Sequence, residues 1–95
     1  MSQPSSAPAA SHQDRPQVRT TLDRVPLGLL ARVTDLSLEG LLRRRLLDLG
    51  FVLGAHVRPV RRSPLGDPTA YEVMGAVVAL RRTEAAGIGV SYRDS

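Results

Sequence analysis

The residues of this chain best suited to chemistry are three consecutive arginines, Arg43, Arg44 and Arg45. They sit inside a leucine run, LEGLLRRRLLDLGFVLG, from Leu38 to Gly54. Clustered guanidiniums recognise phosphates and carboxylates, so nucleic acid and protein surfaces are the first partners to weigh. Other reactive types are sparse. His12 and His56 are far apart, and no His/Asp/Glu group has ligand spacing. Ser37, Ser63 and Ser91 have no base at recognisable spacing. Asp35, Asp48, Asp67, Glu72 and Glu84 are scattered, and Gly50, Gly54, Gly66 and Gly75 read as turn residues rather than a phosphate loop. No enzyme, metal or cofactor is expected.

Composition narrows the classes further. All thirteen basic residues are arginine, so no lysine is available for a Schiff base or a P-loop. The net charge is +4, with nine acids interspersed, which argues against a uniform basic field. There is no cysteine, which excludes a disulfide and suits a reducing compartment. No apolar run approaches the length of about 18 residues that spans a membrane, and no signal pattern opens the chain. A cytoplasmic location is expected.

The elements that must carry these residues follow from pattern. Residues 1–19 are rich in Ser, Pro, Ala and Gln and read as a disordered tail; His12 lies there. A domain is expected over 20–92, with 93–95 frayed. TTLDRVPLG reads as a short turn capped by Thr21 or Asp23. Strands are expected at Leu29–Leu36, with a bulge or an early exit from the sheet near Asp35, and at His56–Arg62, where Pro59 demands an edge or a bulge. Thr69–Val73 and Ala76–Leu80 form a hairpin about Met74-Gly75, and Ile88–Val90 makes a last short strand. Ser37 is the expected cap of a helix over about 38–49, ended by Gly50 with Phe51 packing back. SPLGDP, Ser63–Pro68, is a loop, and Thr83 caps a helical turn over about 83–86. About five short strands and one real helix predict a mainly β protein, a small barrel.

The helical wheel orients the arginines. At about 100° per residue, Leu38, Leu41, Leu42, Leu46 and Leu49 share one broad face, with Arg43 and Arg44 opposite. Arg45 falls among the leucines. It is expected to lay its stem along the core and to bond backbone carbonyls or a carboxylate such as Asp48 or Asp67. Its removal would then cost about 2 kcal/mol or more. Leu47 falls beside Arg43 and Arg44 on the polar side, either as a lone exposed leucine or as an anchor for a partner. One arginine turned inward and one leucine turned outward do not make a recognition helix, and Phe51, Tyr71 and Tyr92 form no base-stacking platform. Nucleic acid is an unfavoured partner.

The order of motifs resembles the FeoA family of bacterial ferrous iron transport accessory proteins. ARVTDL is followed by LLRRRLLDLGFVLGAHV and then by RRSPLGDPTAYEVMGAVVALRRTEAAGIGV, a match from Thr20 to Val90. The most specific parts are RRLLDLGF with Gly54, the loop PLGDP, and ALRRTEA. The resemblance implies an SH3-like barrel with a helix inserted between early strands. It implies a non-enzymatic cytoplasmic role with the Fe(II) membrane transporter FeoB, by protein–protein contact and without membrane insertion. By position, Arg45, Leu46, Gly50, Gly54, Pro64, Gly66, Asp67, Gly75, Leu80 and Arg81 match the family motif and mostly maintain the fold. Pro59 departs from the pattern, where a strand residue such as valine is more usual, and the tail is longer than the usual start. The helical geometry nominates Arg43, Arg44 and Leu47, with Leu65 and Asp67 of the 63–68 loop, as the partner surface. Two alternatives stay open: a basic barrel on nucleic acid, and a stand-alone regulatory domain like the C-terminal part of metal-dependent repressors. Self-association also stays open.

Overall fold

The computed structural model describes residues 17–93. Six antiparallel strands form one curled sheet: β1 (Gln17–Thr21), β2 (Ala31–Leu36), β3 (His56–Arg62), β4 (Thr69–Val73), β5 (Ala76–Leu80) and β6 (Ile88–Arg93). Their order is β1-β6-β2-β3-β4-β5. A 3-10 turn, Leu22–Arg24, follows β1; helix α1 (Gly40–Leu49) joins β2 to β3, and the short helix α2 (Arg82–Ala85) joins β5 to β6.

Period-two patterning builds the wall. Thr69, Tyr71 and Val73 of β4 point inward, as do Ala31 and Val33 of β2. Ala31, Val33, Tyr71 and Val73 meet Leu22, Leu46, Phe51, Leu80 and Ile88 in one apolar core. Burying each of these larger side chains contributes about 1.5–3 kcal/mol.

Both expected irregularities occur. The β2–β6 register shifts between Val33 and Asp35, and the β3–β4 register between Pro59 and Arg61. Pro59 is buried, yet its missing N–H costs no ladder bond. The β2–β3 ladder involves only Ala31–Val57 and Arg32–His56, so β3 is a local edge at Pro59. The Pro59 carbonyl instead accepts the Gly28 N–H at 2.8 Å.

The structure corrects the expectations at the chain start. The tail was expected to run to Arg19, but β1 already begins at Gln17 and pairs along β6, from Gln17–Arg93 to Thr21–Gly89. The ladder supplies backbone hydrogen bonds that a local reading of a polar segment does not reveal, and the Gln17 Nε2 donates to Ser91 Oγ at 3.0 Å. This adds a sixth strand and carries β6 on to Arg93, which was expected to fray. Residues 1–16, with His12, and residues 94–95 lie outside the described residues.

The helix start also differs. Leu38 is not helical, α1 begins at Gly40, and Glu39 is its N-cap without a side-chain cap bond. Ser37, the expected cap, sends both its N–H and its Oγ to the Gly87 carbonyl, at 2.9 and 3.2 Å. Leu38 lies directly over Gly87, where any Cβ would overlap it. The helix end is as expected: Gly50 is left-handed (φ 113°), and its N–H returns to the Leu46 and Leu47 carbonyls. Phe51 N–H bonds Leu46 O at 3.0 Å and its ring is fully buried. In α2 the N-cap is Arg81 rather than Thr83.

Candidate docking face on the long helix

Helix α1 is seated by Leu42, Leu46 and Leu49, spaced at four and three residues, of which only Leu46 is fully buried. Leu41 was expected on that inward face, but it is 85% exposed. The reason is geometric. The sequence wheel was centred with Leu38 as a helical residue; without it the face recentres on Leu42, Leu46 and Leu49 and leaves Leu41 outside. The same shift moves Arg45. Its side chain is 53% exposed and pairs with Glu84 at 3.1 Å, rather than being buried on Asp48, Asp67 or a carbonyl.

The opposite side of α1 carries a shallow groove lined by Gly40, Leu41, Arg43, Arg44, Leu47 and Asp48. The structure therefore brings Arg43, Arg44 and Leu47 together and adds Leu41. Arg43 is not wholly available, since its Nη1 donates to the Leu36 carbonyl at 3.1 Å and so ties the helix start to the end of β2. Arg44 makes no hydrogen bond or ion pair with the described residues. Leu41 was assigned to the inward face because the helix was begun at Leu38 rather than at Gly40.

The 63–68 loop is separate from this groove. It is closed by Ser63 N–H to Pro68 O at 3.0 Å and Gly66 N–H to Ser63 O at 2.8 Å. Leu65 stands at its tip, 93% exposed. Pro64 faces a different hollow, with Arg61, Arg62, Ser63, Pro68, Ala70 and Ala79. Asp67 accepts the Arg82 N–H at 2.8 Å and so fastens the loop to the start of α2. Arg81 donates its N–H to Glu84 at 2.9 Å. This bond, followed by that from Arg45, holds the Glu84 carboxyl below its ordinary value. Gly54 donates its N–H to the Val33 carbonyl at 2.8 Å, and Met74 (φ 51°) and Gly75 (φ 81°) form the tight β4–β5 turn.

Among the described residues there is no group of three His, Cys, Asp or Glu side chains able to hold a metal ion. His56 lies exposed at the start of β3. No helix of the described residues is long and apolar enough to cross a membrane. What the surface offers is an apolar and cationic relief on one helix of a small, six-stranded sheet whose outer strands, β1 and β5, do not pair with each other.

The FeoA domain model matches residues 20–92, and the chain belongs to the FeoA-domain family. It is 38% identical over 74 residues to the Fe(2+) transport protein A/Fe(2+) transporter FeoB fusion protein of Porphyromonas gingivalis, a match covering 78% of this chain and 9% of that protein. The solution structure of FeoA from Chlorobium tepidum superposes with a TM-score of 0.73 at 41% identity, over 77% of this chain and 70% of that one. The zinc-complexed FeoA of Stenotrophomonas maltophilia, described as a procaryotic SH3 domain protein, matches with a TM-score of 0.64 at 36% identity, over 80% and 99% of the two chains.

Proposed function

We propose that this chain is a non-enzymatic accessory of bacterial ferrous iron uptake. It docks on the cytoplasmic side of an Fe(II) transporter of the FeoB kind and modulates it by contact. The observation that carries the reading is the outward face of α1. There Leu41, 85% exposed, and Leu47 share a groove with Arg44, in a chain whose relative is joined to such a transporter in one polypeptide. Apolar side chains rimmed by arginines have the make-up of a docking core, since burying the leucines supplies affinity and the guanidiniums supply orientation. Arg43 positions the helix through Leu36, and Arg44 meets the partner. Leu65 is a separate second contact, held in place by Asp67 on Arg82.

The test measures binding of the purified chain to the transporter's isolated cytoplasmic domain. Leu47→Glu is expected to weaken binding by about tenfold or more, because it buries an unpaired charge in the contact. Leu65→Glu is expected to weaken it less. Affinity unchanged by Leu47→Glu would rule out the helix face.

A further inference from the structure

The two outer strands of the sheet are treated very differently by the sequence. β1, QVRTT, carries a glutamine, an arginine and two threonines, polar residues that discourage pairing with another chain. β5, AVVAL, has no charge, no proline and no bulge, and among the described residues it pairs with β4 alone. Val77 is 62% exposed and Ala79 is exposed beside it.

The register says which backbone groups face out. Met74-Gly75 is a two-residue turn with both φ positive, so the flanking pair Val73–Ala76 exchanges hydrogen bonds. The pairs Tyr71–Val78 and Thr69–Leu80 then do the same, and the N–H and C=O groups of Val77 and Ala79 point away from β4. No hydrogen bond from the described residues meets them. Unpaired groups on an apolar edge are a template for another strand.

We infer that β5 is the pairing edge of a symmetric dimer, in which it lies antiparallel to β5 of a second copy of this chain, centred on Val78. In that register every side chain meets a complement. Val77 faces the other copy's Ala79, Ala76 faces Leu80, and Val78 faces its own equivalent. Arg81 falls opposite Gly75, so no like charges are brought together.

The outer face suits this occupant. Cross-strand pairing sets Arg61, Ala70 and Ala79 in one row, and those three residues border the hollow completed by Arg62, Ser63, Pro64 and Pro68. The next position in that row belongs to Val77 of the other copy. A β-branched residue there covers the hollow, whose Pro64, Pro68, Ala70 and Ala79 are apolar, and Val77 is otherwise left in water. A ribbon of five residues per copy buries less than the ~1,000 Å² expected of a stable interface, so the dimer is concentration-dependent.

Sedimentation equilibrium across a wide concentration range tests this on the full chain, with circular dichroism as the control for folding. The wild type is expected to move from 10.3 kDa toward twice that mass. The double variant Val77→Lys, Ala79→Lys sets lysine against lysine across the two-fold and should weaken association by about tenfold or more. The double variant Val77→Lys, Ala79→Glu sets lysine against glutamate and should restore it. Because the chain has no cysteine, Val78→Cys should form a disulfide-linked dimer under mild oxidation. A wild type that stays at single-chain mass throughout would overturn the inference, as would lysine variants that associate like the wild type or a charge swap that restores nothing. Protection of the β5 amides that appears only when a transporter domain is added would also overturn it, and would assign the edge to that partner.

Discussion

The two α-helices among the described residues are held in different proportions by polar and apolar contacts. Helix α2 has four residues and is pinned by polar bonds from distant segments. Glu84 takes the Arg81 N–H and the Arg45 guanidinium, Asp67 takes the Arg82 N–H, and Ala85 is fully buried. Helix α1 has ten residues, no side-chain cap, a single fully buried side chain at Leu46, and a glycine closure. In α2 the polar groups are consumed in tying the fold together. In α1 the anchoring is mainly apolar, through Leu42, Leu46 and Leu49, with Arg43 on the Leu36 carbonyl and Arg45 on Glu84 as its polar ties, and Leu41, Arg44 and the half-buried Leu47 are left over. The difference separates residues that hold the structure from residues that can meet something else.

Substitutions can break or sharpen that contrast. Leu46→Ala should have the largest effect, about 3 kcal/mol by thermal or denaturant unfolding, because it removes the one wholly buried anchor of α1. A loss under about 1 kcal/mol would mean that α1 is seated elsewhere. Gly50→Ala comes next, at about 2 kcal/mol: its φ of 113° suits glycine, and a Cβ would stand 2.6 Å from Met74 Cγ. Adding Met74→Ala should return part of that loss, and strict additivity of the two would show that the contact is not the cause.

Glu84→Gln should cost about 1 kcal/mol near neutral pH, from weakened charge-assisted bonds. Its folded-state carboxyl titrates below the ordinary value of 4.5. The stabilisation it gives is therefore complete above that value and lost as pH falls through the lower folded one. The variant should flatten this acid limb of the stability profile, and an unchanged limb would remove Glu84 from the role. Arg45→Ala should be the mildest, about 0.5 kcal/mol, since its side chain is 53% exposed and water screens the pair from that side. A cost near 2 kcal/mol would restore the buried role that the helical wheel suggested.

What could be seen in the sequence was local. Gly50 announces its own helix end, because a left-handed residue followed by Phe51 needs no distant information. The Met74-Gly75 hairpin and the irregularity at Pro59 are likewise written into neighbouring residues. The misread positions depend on segments far along the chain. Ser37 looks like a cap until the carbonyl of Gly87 competes for its hydroxyl. Arg45 looks buried until the helix start is moved from Leu38 to Gly40, and its partner Glu84 is 39 residues away. β1 contains one large apolar residue, Val18, and becomes a strand only through β6, where Thr20 meets Val90. Of the candidate face, Arg44 and Leu47 followed from helical spacing, whereas Leu41 required the true helix boundary.

The packing of Leu38 onto Gly87 leaves no slack where the chain enters α1 and where it enters β6. Those two approaches are bonded to each other through Ser37 and stacked at van der Waals distance, 50 residues apart in the chain. Extra length or bulk at either place is transmitted straight to the middle of the sheet. The Pro64–Gly66 tip, by contrast, could be lengthened in water with little consequence for the strands beneath it.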